Sequence, residues 1–456
     1  MTQTAARATA WRDWSLAAPT VAYQAELDAP GDPASAAILL ATGGLSGEYV
    51  VYERHGVWHV ALGSALTVTV DAERTTARSA DRAWTRPSSA RPTDDIADAL
   101  AELGRAHPGC RVYGWATFEL AHVLHGDPSA AGTQPLLHIV LPTADITLTP
   151  GRARVLASDP ALGERIAARL RHRLPAPGTP LPDTATLLQA GGADYRNDVA
   201  ATIADIEAGR IDKAVVSRTV PLPSVDLPTS YLACRRANTP ARSFLLDVGG
   251  WQAAGFSPET VVEVEADGRV TTQPLAGTRA LGHDATANER LRAELLTDAK
   301  EVHEHAISVR LACAELATVC RPGTVAIEEF MVIRERGSVQ HLASRVAGRL
   351  AARESSWSAF AALFPAVTAT GAPTAAALHV LHNREREPRG LYGGAVFLAD
   401  TDGLLDAALV LRTVFRRDGR TWLRAGAGVM RQSTPDREYE ETCEKLRSVA
   451  PHLRPA

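Results

Sequence analysis

Two glutamates and a lysine near the C-terminus have the types and spacing of residues that do chemistry. Glu438, Glu441 and Lys445 follow one another at intervals of three and four residues, so they share one face of the helix that the sequence predicts here. Gly426 and Gly428 precede them and predict a turn. Two carboxylates and an ammonium on one helix face are most often a solvated surface, but they can also be half of a site for a metal ion and an anion.

A second pair of glutamates would supply the other half of such a site. Glu301 and Glu304 stand three residues apart on a long helix predicted over residues 288–318. Two helices that each offer two carboxylates can converge on one hard cation such as Mg²⁺, which prefers oxygen ligands and keeps several waters. Two of the glutamates could then bind the ion while the other two hold its waters. Surface charge is the alternative for each pair.

Lys213 and Glu259 are candidates for proton transfer. Lys213 opens the apolar strand KAVVSR, where it is either an edge residue whose ammonium reaches water or a partly buried base. Glu259 follows GFSP, which predicts a tight turn that presents the carboxyl rigidly to a cleft; an ordinary turn carboxylate is the alternative. A loop is predicted for PLAGTR, in which Gly277 permits close backbone approach and Thr278 can donate to an anion.

The elements that must position these residues are runs of strands broken by helices. Strands alternate with turns over residues 1–150, apart from a helix predicted at 94–107, and a linker rich in proline is predicted at about 174–190. We expect a strand-rich, variable N-terminal part at residues 1–185 and a catalytic region at 190–456, joined in one compact structural unit. The order of elements predicts an α+β (α/β) fold rather than a regular repeat of strand and helix.

Composition and charge argue against several classes of function. Of the 456 residues 45% are hydrophobic and 22% charged, the net charge is −4, and the basic residues are dispersed, so we expect no nucleic-acid or membrane partner. No apolar run approaches the ~18 residues of a membrane span. The five cysteines form no C-x-x-C pair, which predicts a reduced, cytoplasmic protein without structural zinc.

Nine motifs from about residue 190 to the C-terminus resemble those of the chorismate-utilising enzymes, in their order and spacing. They are KAVVSR, GFSPE, PLAGTR, DAKEVHEH, SVQHLASRVAG, PAVTATGAP, LYGGAV, DAALVLRTV and AGAGVMRQSTPDREYEET. The family includes the large subunit of anthranilate synthase, aminodeoxychorismate synthase, isochorismate synthase and salicylate synthase. The resemblance implies the fold of anthranilate synthase component I, with two stacked β-sheets flanked by helices and an active site in a deep cleft. It also implies dependence on Mg²⁺.

Particular residues indicate the branch of the family. Lys213 stands where the branch that adds water has its base, and Ala276 stands where aminodeoxychorismate synthases have a lysine nucleophile. At position 368 the chain has threonine and in this respect resembles the salicylate synthases, whereas isochorismate synthases tend to have alanine there. The resemblance therefore favours a salicylate synthase; the alternatives are an isochorismate synthase, the large subunit of an anthranilate-type synthase and a member that binds such ligands without turning them over. Thr374 departs from the family, which usually has lysine there.

The resemblance also assigns roles to the candidate residues. It implies that Glu304 and Glu441 bind Mg²⁺ directly and that Glu301 and Glu438 bind it through water. Lys213 would be the base that activates water, and Glu259 would be the acid that protonates the leaving hydroxyl. The residues implied to bind chorismate are Leu275, Gly277, Thr278, His341, Thr368, Tyr392, Arg412, Gly426, Gly428 and Lys445.

Among these residues, Tyr392 and Arg412 would bind the enolpyruvyl carboxylate of the substrate. His341 is either a hydrogen-bonded core residue or a participant in the elimination of pyruvate. Chorismate is the expected substrate. We expect a monomer that needs no glutaminase subunit.

Overall fold

The computed structural model describes residues 20–29, 31–172, 174, 178–282 and 284–456. The strands in these residues are β1 (Tyr23–Ala29), β2 (Tyr49–Arg54), β3 (Val57–Leu62), β4 (Leu66–Val70), β5 (Arg74–Ser79), β6 (Ala83–Pro87), β7 (Arg111–Ala116), β8 (Leu137–Leu141), β9 (Ala144–Thr149), β10 (Gly151–Ala157), β11 (Lys213–Leu222), β12 (Arg242–Val248), β13 (Trp251–Ser257), β14 (Thr260–Val264), β15 (Arg269–Thr272), β16 (Leu275–Ala280), β17 (Ala326–Arg336), β18 (Val339–Arg349), β19 (Gly371–Ala372), β20 (Ala395–Asp400), β21 (Leu405–Leu409), β22 (Thr413–Arg417) and β23 (Arg420–Val429).

The α-helices in the same residues are α1 (Pro33–Ala41), α2 (Pro92–Ala106), α3 (Leu120–His125), α4 (Pro160–Arg169), α5 (Thr184–Leu187), α6 (Gly192–Glu207), α7 (Leu227–Ala237), α8 (Ala285–Thr297), α9 (Ala299–Val319), α10 (Ser356–Leu363), α11 (Thr374–Arg384) and α12 (Pro435–Leu446). Two short 3₁₀ helices lie at Pro128–Ala131 and Ala450–His452.

The strands form two large antiparallel sheets. One has eleven strands in the order β1-β10-β9-β3-β2-β12-β13-β22-β23-β11-β19, and the other has twelve, in the order β16-β18-β15-β14-β21-β20-β7-β8-β4-β5-β6 with β17 paired to β18. The predicted α+β fold with two stacked sheets is therefore confirmed.

The hydrophobic core explains why the sheets stack. Tyr52 and Phe244 from the eleven-stranded sheet and Trp115 and Phe397 from the twelve-stranded sheet are all fully or almost fully buried, and three of them belong to one cluster between the sheets. Helices α1, α4 and α7 pack on the eleven-stranded sheet, whereas α2, α9 and α10 pack on the twelve-stranded sheet. The central strands of each sheet are thus covered on both faces, as their apolar sequences require, whereas β1, β6 and β17 are partly exposed.

Strands from both sides of the expected division share each sheet. Strand β2 pairs with β12 and β7 pairs with β20. In the predicted linker, residues 175–177 lie outside the described residues, whereas Leu181 and Leu188 are buried in the core. The described end of that segment is therefore packed against the rest of the chain.

The helix predicted over residues 288–318 is wrong as a single element. The chain forms α8 and α9, which meet at Asp298 in an extended conformation. The carboxylate of Asp298 accepts hydrogen bonds from the backbone N–H groups of Lys300 (2.9 Å) and Glu301 (3.1 Å), so it caps a new helix. The break places Glu301 in the first turn of α9.

Two turns or loops predicted near the site are also wrong. Gly426 and Gly428 lie within strand β23, and PLAGTR forms strand β16 with an irregularity at Gly277. In both cases strand pairing takes up the backbone hydrogen bonds that a turn would leave to water.

At GFSP, strand β13 runs to Ser257 and the chain then bends at Pro258 before Glu259. The helix that begins at Pro435 is confirmed, with Thr434 at its N-cap.

The compartment of the protein stays a prediction. Among the described residues no helix is long and apolar enough to cross a membrane. All five cysteines are free.

Candidate active site

A cavity lies where the ends of the two sheets meet α12. Thirteen of the sequence-predicted site residues line it: Glu259, Leu275, Gly277, Thr278, Glu304, His341, Thr368, Tyr392, Arg412, Gly426, Gly428, Glu441 and Lys445. The other three, Lys213, Glu301 and Glu438, stand directly behind the lining. Glu301 accepts a hydrogen bond from the backbone N–H of the lining residue Thr278 at 3.0 Å.

Helices α9 and α12 bring the two glutamate pairs together at one end of the cavity. Glu301, Glu304, Glu438 and Glu441 are each at most 7% exposed, so the solvated helix face is excluded for both pairs. Helix α9 packs on β16 and β18, and α12 packs on β23. Four carboxylates that are buried together need nearby positive charge, because burial strongly disfavours an unpaired charge.

Two lysines that the sequence had singled out pair with glutamates of this group. The fully buried Lys213 has its Nζ 2.9 Å from Glu304 Oε1. Lys445 Nζ lies 2.8 Å from Glu441 Oε1 and donates to the backbone oxygen of Gly426 at 2.9 Å. Lys445 thereby ties α12 to strand β23.

A third lysine, Lys300, was not predicted. Its Nζ donates to Glu438 at 2.9 Å and lies 3.6 Å from Glu301. Arg279 adds a guanidinium 3.2 Å from Glu301. The sequence DAKE could have predicted Lys300. It directly precedes Glu301 in the first turn of α9, from which its long side chain can reach the same carboxylates.

The carboxylates differ in their proton affinity. Burial and repulsion by Glu441 raise the pKa of Glu438 to about 7 and raise that of Glu301 as well. Burial would also raise the pKa of Glu441, but the charges of Lys445 and Lys300 outweigh it and lower the value to about 2. Oε2 of Glu438 is buried without a hydrogen-bond partner among the described residues. The four glutamates thus offer many carboxylate oxygens, one of which has no hydrogen-bond partner among the described residues, and such oxygens are the ligands that a hard divalent cation prefers.

Another acidic group lies elsewhere, between the sheets. Ligand atoms of His55, Glu263 and Asp406 lie within 4.8 Å of one another. Two arginines balance the two carboxylates: Arg242 lies 2.7 Å from Asp406 and 2.9 Å from Glu263, and Arg54 lies 2.7 Å from Asp406. Glu263 and Asp406 therefore belong to a buried ion-pair network, and His55 lies exposed at its edge.

Glu259 lies between β13 and β14 with its carboxyl in the cavity lining. Burial raises the pKa of Glu259 to about 8, although the Thr368 hydroxyl and the Leu275 backbone N–H act in the opposite direction by donating to the carboxyl. The Thr368 contact is 2.7 Å long. Glu259 is thus protonated at neutral pH and can give up a proton.

Strand β23 presents a flat surface to the cavity. A Cβ at Gly426 would lie 2.6 Å from the Val216 backbone oxygen, and one at Gly428 would lie 2.2 Å from Glu304 Oε1. Gly426 has no room for a side chain because the obstructing atom is backbone, whereas at Gly428 the carboxylate of Glu304 would have to move away from Lys213. Arg424 lies two residues before Gly426 on the same face of the strand and also lines the cavity; the period-two spacing of 424, 426 and 428 could have predicted it.

Arg412 forms the cationic wall at the other end of the cavity. It is buried and makes no ion pair with a carboxylate among the described residues. Its Nη2 lies 2.6 Å from His341 Nε2, and its Nη1 donates to the Arg336 backbone oxygen at 2.8 Å. Burial lowers the pKa of Arg412 to about 9, with a further contribution from Arg336. A buried guanidinium without a counter-ion is a site for an anionic ligand.

Residues 47–451 match the family model of the chorismate binding enzymes. The chain belongs to the chorismate-binding enzymes. The resemblance seen in the nine sequence motifs is thereby confirmed.

Curated relatives within this family carry more than one activity in their names. The chain is 39% identical over 439 residues to a salicylate synthase of Mycolicibacterium paratuberculosis, covering 95% of this chain and 96% of the relative. It is also 39% identical over 267 residues to anthranilate synthase component 1 of Streptomyces coelicolor, but that match covers 58% of this chain and 52% of the relative.

Solved structures of chorismate-binding enzymes share the fold. The menaquinone-specific isochorismate synthase MenF of Escherichia coli has a TM-score of 0.70 at 20% identity, covering 99% of this chain and all of that one. Anthranilate synthase component I of Streptococcus pneumoniae has a TM-score of 0.70 at 23% identity, covering 86% of this chain and 92% of that one.

Replacing Gly428 with alanine tests the close approach between β23 and α9. The added methyl would overlap Glu304 and lie 3.2 Å from Lys213 Cε. We expect the free energy of unfolding to fall by about 1–3 kcal/mol, as for other overpacked sites. Urea denaturation measures this change.

Gly282→Ala is the matched control, because a Cβ there meets no atom within 4 Å. We expect its unfolding free energy to stay within about 0.5 kcal/mol of the parent. Equal stability of the two variants would contradict the packing described for Gly428.

Proposed function

We propose that this protein is a salicylate synthase, which converts chorismate to isochorismate and then to salicylate and pyruvate. The observation that carries the proposal is the 39% identity to a named salicylate synthase over 95% of this chain and 96% of the relative. The side chains around the cavity support it, because they supply a candidate base, a protonated acid and a carboxylate-binding arginine.

Lys213 and Glu259 would perform the first step from two sides of the substrate. Lys213 would accept a proton from a water that attacks C2 of the ring. Glu259, which is protonated at neutral pH because of its burial, would donate a proton to the C4 hydroxyl as it leaves. One proton is taken up and one is released, so the addition of water and the loss of water balance.

Arg412 and Tyr392 would hold the enolpyruvyl carboxylate. Both residues are buried in the cavity wall. Arg412 supplies an uncompensated positive charge there, and a guanidinium can hold a carboxylate by two parallel hydrogen bonds. Lys445, Gly426 and the Gly277–Thr278 segment would complete the surface around the substrate.

Isochorismate would lose pyruvate in the same cavity. The C3–O bond breaks, the C2 hydrogen passes to the enolpyruvyl methylene, and the ring becomes aromatic salicylate. Because this step is internally balanced, it needs chiefly a bound conformation in which the reacting atoms are close.

Mg²⁺ is the cofactor that we propose for the carboxylate group. Glu304 and Glu441 would bind it directly, and Glu301 and Glu438 would hold its waters. When bound, it would neutralise the carboxylates and hold the ring carboxylate of the substrate. The unsatisfied Oε2 of Glu438 and the raised pKa of Glu301 support this assignment.

We further propose that the protein works in the cytoplasm as a monomer without a glutaminase subunit. Lys213 supports this part of the proposal, because an enzyme that adds water has no need of ammonia.

Incubation with chorismate and Mg²⁺, without ammonia or glutamine, should yield salicylate and pyruvate in equal amounts. Salicylate fluorescence and a coupled lactate dehydrogenase assay for pyruvate measure the two products. Accumulation of isochorismate without pyruvate would instead identify an isochorismate synthase. Absence of any turnover would contradict both.

Lys213→Ala separates the two steps. We expect loss of chorismate turnover by at least about 10²-fold, the contribution of a general base, with pyruvate release from supplied isochorismate largely kept. Loss of both activities would contradict the assignment of Lys213 to water addition alone.

The protonated state of Glu259 predicts an alkaline limit to chorismate turnover. Since its pKa is raised to about 8, the acid form is present below that pH and disappears above it. We expect kcat/KM for chorismate to fall about tenfold per pH unit above pH ~8. A pH profile of kcat/KM measures this alkaline limb, and the same profile with isochorismate as substrate should lack it.

Thr368→Val provides the control for this assignment. Its hydroxyl stabilises the charged form of Glu259, so its removal should raise the pKa further and move the limb to higher pH. If the alkaline fall in chorismate turnover occurred at the same pH in Thr368→Val as in the parent, a group other than Glu259 would be responsible for it.

Removal of Mg²⁺ should abolish turnover and lower thermal stability. After treatment with EDTA, adding back Mg²⁺ at about 100 times its dissociation constant should stabilise the fold by about 2.7 kcal/mol. Differential scanning calorimetry measures the shift. Glu441→Gln should lose the Mg²⁺ response, whereas Glu440→Gln, on an exposed face of α12, should keep it. Equal responses of the two variants would contradict the metal site.

A further inference from the structure

Two contacts determine which nitrogen of His341 carries a proton. Arg412 Nη2 lies 2.6 Å from Nε2, and a guanidinium has only donors. Nε2 must therefore accept. In a neutral ring the proton is then on Nδ1, which donates to Thr278 Oγ at 3.1 Å and to the Gly277 backbone oxygen at 3.3 Å.

Strand pairing holds the ring in this position. His341 lies opposite Thr278 in the pairing of β16 with β18, where the register shifts at Gly277. The ring is buried. Burial and the charges of Arg412 and Lys445 keep the pKa of His341 well below its ordinary range, although Glu441 acts in the opposite direction. Both ring nitrogens are thus engaged, and the ring is neutral.

Arg412 depends on this arrangement. Its backbone adopts a left-handed conformation with φ of 50°, which is strained for a residue other than glycine. Its two terminal nitrogens are held by His341 and by the Arg336 backbone oxygen. Neither of these acceptors is charged, so the guanidinium keeps its full positive charge for a ligand in the cavity.

We infer that His341 is a positioning residue that holds Arg412 against the enolpyruvyl carboxylate of the substrate and takes no part in proton transfer. The inference rests on the proposed function for the identity of the ligand. It agrees with the proposed second step, in which the hydrogen that leaves C2 is the one that the enolpyruvyl methylene gains, so that no protein group has to supply or remove a proton.

Two substitutions of His341 distinguish positioning from acid–base chemistry. In His341→Gln the side-chain oxygen can accept from Arg412 in place of Nε2, whereas His341→Leu offers no acceptor. We expect His341→Leu to raise KM for isochorismate by about tenfold to a hundredfold, the range for losing a hydrogen bond to a charged group. His341→Gln should stay within about threefold of the parent, with an unchanged pH profile of pyruvate release. Equal loss in both variants would overturn the inference.

A double-mutant cycle tests whether His341 acts through Arg412. In the background of Arg412→Met, the further change His341→Leu should alter KM by less than about twofold, because coupled residues are not additive. The same loss in both backgrounds would overturn the inference. If His341→Leu does not fold, the cycle is run with His341→Asn, which also lacks an acceptor at the Nε2 position.

Nitrogen-15 NMR of histidine-labelled protein reads the tautomer without any substrate. The resonances of His341 are assigned by their absence in His341→Gln. We expect protonated Nδ1 and an accepting Nε2 throughout the pH range from about 6 to 8.5. A protonated Nε2 would overturn the inference. Failure of the parent enzyme to form salicylate would overturn the proposed function and leave this NMR test intact.

Discussion

The burial of four carboxylates in one place is the constraint on which the site depends. Glu301, Glu304, Glu438 and Glu441 come from two helices that pack on different sheets. Their mutual repulsion is offset by cations that are built in around them: Lys300, Lys445 and Arg279. The same group of carboxylates can take up a divalent cation, because Oε2 of Glu438 has no hydrogen-bond partner among the described residues.

The Gly277–Thr278 segment joins the two charged ends of the cavity. The backbone N–H of Thr278 donates to Glu301, and its hydroxyl contacts His341, which in turn accepts from Arg412. Only a glycine with φ of 83° allows this strand to bulge so close to Glu301. The carboxylate cluster and the Arg412 guanidinium are therefore held at a fixed separation, which suits the proposed substrate with its two carboxylates.

Sequence reasoning found the side chains whose spacing follows helix geometry, and it failed where strand pairing decides the backbone. The shared helix face of Glu301 and Glu304 could be predicted, because residues three apart are neighbours on the surface of any α-helix. The break between α8 and α9 at Asp298 could not be predicted. An aspartate can either continue a helix or cap a new one, and only the local backbone geometry decides between the two. Gly426 and Gly428 suggested a turn, yet their small size serves the contact of strand β23 with Glu304 and Val216.

The fold alone does not decide the reaction, because an isochorismate synthase and an anthranilate synthase component share it at 20–23% identity. The choice must come from the few side chains that touch the substrate. In the proposed function, the buried Lys213 would be the base, which an ammonia-adding enzyme does not need. Thr368 donates to Glu259 and would so adjust the acid of the same step. Because both residues would act on water addition, the proposed loss of pyruvate would be governed by how the cavity holds isochorismate, which points to the end of the site formed by Arg412.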